Sequence, residues 1–509
     1  MFVLAKSPIT ALANSPQDFA RRRNLWFALT LSAFLAHNFW IFAIVASVAL
    51  IVATRAEPNR FALYMGVMLA LPRLAASIPG LGIVNDLFVV EPLRLLSLFV
   101  LLPTYLSLRK QPDVVPFGRL LCDKLLLGYL LLDLLLSLPY RTFTAVVRES
   151  VFYAFTDTFL IYYVASRSLK TLKDYRDALG AFVVGAMVFS AIVAVEFLRG
   201  WLLYSAVDEA LGVPGGSTFY LRRSGRLRAE GSAGQAIITG YVCAIAIGLY
   251  FYVRTLVPNA TMRLLGMLVL VAGIIGALSR APWLGVGLIM VLFMLLGPAP
   301  LANIGKLALA VLALIPVLLS TEPGRVILDH LPWIGTVDAR NVDGREHLMS
   351  VAMNVILQNP LFGRFDFYVV PAIQDLRGGD GIIDLVNTYV IIALQGGLVS
   401  VALFAGTVVV AMLGVGASLF KISDKTEERH VLGRALLCTL FAVLFIIATV
   451  SPIFFVYPLL WALTGMAVGY ARLVATGNEA RAMRTAEVAQ RARPQAADRP
   501  GAPHARPRY

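Results

Sequence analysis

The sequence predicts an all-α polytopic membrane protein, a bundle of about 12–14 transmembrane helices with a large loop region on one side. Three observations point there. First, 59% of the 509 residues are hydrophobic, only 15% are charged, and the mean hydropathy is +0.77. Soluble domains run nearer about 45–50% apolar and about 25% charged. Second, the apolar residues gather into runs, among them 178–198, 234–253, 263–278, 283–296 and 431–450. Each is about as long as the ~17–25 residues a bilayer-spanning helix needs. Third, basic residues collect in clusters between alternate runs, as cytoplasmic loops do.

In chain order, candidate spans lie near 25–54, 61–79, 92–108, 124–140, 148–165, 178–199, 234–253, 263–279, 281–297, 303–320, 387–418, 431–450 and 452–474. Segment 1–24 is expected in the cytoplasm, because it ends on Arg21-Arg22-Arg23. The next basic clusters are Arg109, Lys110, Arg119 and Lys124, then Arg167, Lys170, Lys173 and Arg176. Arg254 with Arg263, then Lys421, Lys425, Arg429 and Arg434, continue the pattern. From Arg167 onward one crossing per span keeps all of them on one side. Before it, parity fails by one unless 25–54 is two short helices broken near His37-Asn38 or the N-terminus lies outside; the Arg triplet favours the two short helices.

The same parity puts loops 200–233 and 321–385 outside. The second holds nine acids and five arginines, so it lacks a basic excess. Asp343-Gly344-Arg345-Glu346 reads as a capping box opening a helix. Leu348, Val351, Val355 and Ile356 follow at helical spacing, and Asn359-Pro360 ends it. That apolar face is expected to pack on the membrane domain. The basic, Ala- and Pro-rich tail 475–509 is expected to be a disordered cytoplasmic extension.

Several function classes lack their signals. Three cysteines, Cys122, Cys243 and Cys438, scattered in or beside apolar runs, form no disulfide framework. The five histidines lack ligand spacing, so no structural metal is expected. The net charge of +14 follows from cytoplasmic loops and needs no nucleic acid partner. No signal peptide precedes the first run, which is expected to serve as the targeting signal. There is no P-loop and no internal repeat.

Four places can carry chemistry. Arg222, Arg223, Arg226 and Arg228 sit on the expected outer face, against the basic bias of inner loops. They serve there as lipid-headgroup contacts or as an anion site, for Arg offers a planar fork suited to phosphate oxygens. Ser279-Arg280-Ala281-Pro282-Trp283 forms a tight turn between two spans. Arg345 falls in the first turn of the loop helix, where a cation opposes the helix dipole and wants a partner. Asp384 stands before Asn387 and Tyr389 at the entry to a span, as a helix cap or a general base, with Asn387 placed for a sugar hydroxyl. Within spans the ionisable exceptions are Asp133 and Asp157, with Arg148 and Glu149 at a boundary.

Together these places resemble the O-antigen ligase and polymerase family of bacterial membrane proteins. The matching segments are Arg226-Leu227-Arg228-Ala229-Glu230-Gly231-Ser232, Ser279 to Trp283, Arg345 with Asn359-Pro360-Leu361-Phe362-Gly363, and Asn387, Tyr389 and Gly397-Leu398. The match spans about 220–400. The resemblance implies a helical bundle like the GT-C glycosyltransferases, working at the periplasmic face of the bacterial inner membrane without metal or nucleotide. It implies a donor glycan on undecaprenyl pyrophosphate, passed to another carrier-linked repeat unit by a polymerase or to lipid A-core by a ligase. Arg228, Arg280 and Arg345 would stabilise the leaving pyrophosphate, with Arg226 helping, Arg222 and Arg223 binding substrate, and Asp384 as base. Membrane lipids and a chain-length regulator are the further partners implied. Many ligases carry a His before the Asn-x-Tyr helix; here Leu385-Val386 stand there, and Gln395 replaces the usual Glu. That departure favours a polymerase of exopolysaccharide or O-antigen over a ligase. A transporter or flippase is the reading from another class.

Overall fold

The break expected near His37-Asn38 is present, and it makes two helices of the first apolar run. The computed structural model describes residues 15–80, 86–213, 220–223, 225–321, 339–377, 383 and 385–492. Helix α1 (Pro16–Leu35) ends as His37 takes a positive φ of 49°. Asn38 then caps α2 (Phe39–Ala56), its side chain accepting from the Trp40 and Ile41 amides.

Helix α3 (Arg60–Ala70) is shorter than the 61–79 span expected from hydropathy. Pro72 disfavours helix in the residue before it, and the chain leaves as an extended strand. That strand, β1 (Ala76–Pro79), pairs antiparallel with β2 (Asp86–Val90). Then come α4 (Pro92–Leu108), α5 (Leu121–Ser137), α6 (143–168) and α7 (Leu172–Arg199). A two-residue hairpin, β3 (Arg222–Arg223) with β4 (Arg226–Leu227), leads to α8 (Ala236–Val253). The remaining helices are α9 (Ala260–Gly276), α10 (Arg280–Leu295), α11 (Pro300–Ser320), α12 (Ala339–Gln358), α13 (Thr388–Phe420), α14 (Glu428–Ile447) and α15 (Val456–Ala492).

The chain is thus an all-α protein of the membrane type. Among the described residues six helices, α2, α7, α8, α13, α14 and the first part of α15, are long and apolar enough to cross a bilayer. Helix α8 is the axis of the bundle: of its residues only Ile237 is not buried. An apolar helix without a polar face belongs in such a core. Around it pack α7, α9, α10 and α14, while α13 lies against α5 and α15. The outer helices expose apolar stripes, such as Ile41, Ile44, Val48 and Val52 on α2. A contiguous apolar surface of that kind suits lipid.

Helix α7, about 42 Å long at ~1.5 Å per residue, links the two ends of the bundle. At its start Asp177 meets the Arg22 guanidinium at 2.7 Å, and Arg22 also holds Glu57 at 2.6 Å. Near its other end Glu196 accepts backbone N–H groups from Leu203, Glu230 and Gly231.

One expectation needs correction. Helix α12 begins at Ala339, so Arg345 lies beyond its first turn and Asp343-Gly344 does not open it. Ala339 and Arg340 are good helix formers and carry the helix back past Gly344. The expected apolar face is present: Val355 and Ile356 are buried with Phe367, Ile373 and Leu394, and α12 packs on α13. Helix α15 runs through Ala492, and the rest of the expected tail, 493–509, lies outside the described residues. Its end, 475–492, is rich in Ala, Arg and Glu, which favour helix without needing a packed face.

Helix α13 is broken at Gly397 (φ 69°, ψ −171°). The freed backbone groups are satisfied by the loop after α12. Leu398 N donates to Pro360 O at 2.8 Å, Val399 N to Leu361 O at 3.2 Å, and Arg364 N to Leu394 O at 2.7 Å. An interrupted membrane helix persists where a neighbouring segment repairs its hydrogen bonds in this way.

Candidate functional site: an arginine cluster at one end of the bundle

The site is built on the turn between α9 and α10. Leu278 there has a positive φ of 45°, which turns its carbonyl toward the β3–β4 hairpin. Arg223 Nη1 donates to that carbonyl at 2.6 Å. The segment after β4 is pinned by its own backbone: Arg228 N donates to Leu221 O at 2.9 Å and Ala229 N to Gly276 O at 3.0 Å. Arg228 is thereby aimed at Ser279, with Nη2 3.4 Å from Oγ. Ser279 occupies the N-cap of α10 but makes no capping bond, so its hydroxyl stays with Arg228. Arg280 opens α10, and the positive end of that helix adds to the cluster's potential.

Arg223 stands within electrostatic reach of Arg228, Arg280 and Arg345, and Arg228 within reach of Arg345. Burial pushes Arg223 down to about 10, and the charges of Arg228, Arg280 and Arg345 push the same way. Arg228 is also lowered, by burial first and by Arg345, against the opposing pull of Glu230. The Nε atoms of Arg228 and Arg280 are buried and meet no acceptor among the described residues. Buried donors are nearly always paired. Like charges brought together with unpaired donors form a ready receptor for an anion with several oxygens.

Behind the arginines lies a carboxylate layer. Glu230 is buried, and its Oε2 is unpaired. Burial and the neighbouring Glu196 push the Glu230 carboxyl up to about 8, partly offset by Arg228 and Arg73. Arg73 Nη1 donates to Gly234 O at 3.3 Å, and its guanidinium covers the Phe454 ring at 4.0 Å. Gly231 (φ 55°) is required at the turn, for a Cβ there would stand 2.6 Å from the Phe189 ring.

On the other flank Arg345 opens into a cleft of about 120 Å³ with Leu348, Leu385, Asn387, Val390 and Thr449. Asn387 caps α13, accepting from Tyr389 N at 3.0 Å and Val390 N at 3.2 Å.

The residues singled out in the sequence therefore divide. Arg223, Arg228, Arg280 and Arg345 converge, and Asn387 shares the Arg345 cleft. Arg222 and Arg226 are exposed: Arg222 folds back on Gly225 O at 3.3 Å, and Arg226 lies 5.9 Å over the Phe197 ring. Tyr389 turns its hydroxyl to Leu444 O at 2.9 Å, a packing contact with α14. Asp384 falls outside the described residues. Asp133 accepts from Gln395 at 3.0 Å, Asp157 from Arg94 at 3.0 Å, and Glu149 pairs with Arg141 and Arg148.

Sequence reasoning gave no role to Glu196, Glu230 or Arg73. Glu196 carried a usable signal, an acid inside a long apolar run. Arg73 had none, because only the fold brings it to Gly234. The chain matches no protein-family model, and no curated protein matches it.

Proposed function

We propose that this protein polymerises undecaprenyl-pyrophosphate-linked repeat units of a surface polysaccharide, an exopolysaccharide or O-antigen, at the periplasmic face of the bacterial inner membrane. The observation that carries the proposal is the gathering of Arg223, Arg228, Arg280 and Arg345, two of which, Arg228 and Arg280, keep buried Nε atoms without an acceptor among the described residues. Reading α1–α11 and α13–α15 as crossings gives 14. An even number puts both ends on one side; taking the basic loops as cytoplasmic, that side is the cytoplasm and the arginine cluster lies at the opposite surface.

In the proposed reaction an acceptor hydroxyl attacks the anomeric carbon of the donor sugar. The bond from that carbon to the pyrophosphate oxygen breaks, and its electron pair stays on the leaving group. Charge therefore develops on phosphate oxygens. Arg223, Arg228, Arg280 and Arg345 stabilise it, with Arg223 and Arg228 already held by the Leu278 carbonyl and the Ser279 hydroxyl. The hydroxyl proton goes to a base, the role for which Asp384 is the candidate read from the sequence. Glu230, buried beside Arg228 and Arg73, is a positioning residue.

The test is a deletion strain complemented at matched protein level with wild type, Arg228→Ala, Arg280→Ala or Arg345→Ala, with the polysaccharide profiled by size. Single repeat units in the deletion and in the variants support polymerisation. Full-length carrier-linked polymer that is not attached to lipid A-core shifts the assignment to a ligase. Repeat units held on the cytoplasmic leaflet would make it a flippase.

A further inference from the structure

A second cavity, of about 230 Å³, lies between α3, α4, α6 and the start of α15. A single water needs only ~10–15 Å³ measured in this way. Its polar lining is Tyr64, Glu91, Arg94, Ser97 and Asp157, and the rings of Phe454 and Tyr457 face it as well.

Arg94 is fixed from three sides. Nε donates to Asp157 Oδ2 at 3.0 Å, Nη1 donates to Val89 O at 3.1 Å, and Nη1 lies 3.3 Å from Glu91 Oε1. The guanidinium stacks 3.5 Å over the Tyr153 ring. Its Nη2 donates to no group among the described residues. The independent sign of a ligand is Tyr64. Its side chain is fully buried, and its hydroxyl lies beside Ser97 with no hydrogen bond of good geometry among the described residues. A buried phenol without a partner is costly unless something entering the cavity satisfies it. Wide π-type turns flank the cavity, at Ser97–Leu101 in α4 and at Val146–Tyr153 and Phe155–Phe159 in α6. Such turns concentrate at functional sites.

The cavity also has neighbours. Glu91, Leu93 and Phe454 are shared with a neighbouring groove that contains Arg73. Arg73 in turn lines a hollow with Gly231 and Ser232, next to Glu230. Three neighbouring hollows, sharing Glu91, Leu93 and Phe454 and then Arg73, thus lie between Asp157 and Gly231.

Two carboxylates accept hydrogen bonds, Arg94 donates, and two hydroxyls do both. Arg94 between two acids leaves no excess positive charge for a second anion, and it repels a free metal cation. The complement is a neutral ring with polar edges and apolar faces. We propose that this cavity is a saccharide subsite, with Tyr64 and Arg94 donating to ring hydroxyls and Asp157 and Glu91 accepting from them. Its occupant being the acceptor sugar rests on the function proposed above; sugar binding itself does not.

The test uses the full chain in lipid nanodiscs and saturation-transfer NMR with the methyl pyranosides of glucose, galactose, mannose and N-acetylglucosamine. At least one is expected to bind. Tyr64→Phe, which removes only an unpaired hydroxyl, should weaken its affinity roughly three- to tenfold. Asp157→Asn should weaken it at least as much, and Ser97→Ala measurably. If Asp157→Asn fails to fold, the other two substitutions decide. Saturation transfer from none of the four glycosides would overturn the proposal. So would unchanged affinity in both Tyr64→Phe and Ser97→Ala, or displacement of the glycoside by sodium ions. Arg280→Ala should leave glycoside binding intact while weakening pyrophosphate binding. The subsite and the arginine-site reading therefore fail separately.

Discussion

Gly363 and Gly397 meet backbone to backbone. A Cβ on Gly363 would stand 2.6 Å from the Gly397 amide nitrogen and 2.5 Å from Leu394 O, and a Cβ on Gly397 would overlap the Leu361 carbonyl. Both residues also have positive φ, 61° and 69°. The Asn-Pro-Leu-x-Gly loop and the Gly-Leu break in α13, separate in sequence, form one joint. That joint holds α12, and with it Arg345, over the arginine cluster.

Gly363→Ala and Gly397→Ala are therefore expected to lower thermal stability strongly, by more than the roughly 1 kcal/mol of an ordinary helix substitution. Gly416→Ala, in the same helix with open space around it, should be neutral or stabilising. Melting temperatures of the three purified variants check the contrast. Equal melting temperatures would show that the joint is not constrained.

Arg228→Ala and Arg280→Ala are each expected to reduce turnover roughly 10²–10³-fold, the cost of removing one preorganised donor from a developing oxyanion. Arg222→Ala and Arg226→Ala should cost little, because both side chains are exposed and turned aside. Polymer yield in complemented cells, compared at equal expression, separates the two pairs.

Pyrophosphate binding should weaken as pH rises through about 10, where Arg223 loses its proton. Arg223→Ala should bind more weakly throughout and lose that step. Titration calorimetry at constant ionic strength reads both outcomes.

Glu230 stays protonated in the folded chain up to about pH 8, whereas an unfolded glutamate releases its proton near about 4.3. Between those values the native state binds more protons than the unfolded state, so stability falls as pH rises. Glu230→Gln removes this dependence. The gap in melting temperature between variant and wild type should widen from about pH 4.5 to about pH 8 and then level off.

Asp123 and Arg167 form a fully buried pair at 2.6 Å, with the Tyr162 hydroxyl donating to Asp123 at 2.8 Å. Asp123→Ala leaves the guanidinium unpaired and should cost about 3–5 kcal/mol. The double replacement Asp123→Leu with Arg167→Met should recover much of that loss. Chemical unfolding of both variants checks the difference.

The sequence by itself determined the all-α membrane class, the break at His37-Asn38, the apolar face of α12 and three of the four converging arginines as leading candidates. These are legible because they depend on local composition, periodicity and capping chemistry, which act within a few residues. Tertiary structure alone decided that Arg223 joins the cluster while Arg226 turns outward. Two residues of one hairpin differ only in what the fold sets beside them, the Leu278 carbonyl or the Phe197 ring. It also decided that Tyr389 packs, that Glu230 sits beside Glu196, and that Arg73 and Glu91 each line two neighbouring hollows. Those roles depend on electrostatic and hydrogen-bonded partners tens to hundreds of residues away in the chain, and no local pattern encodes such distances.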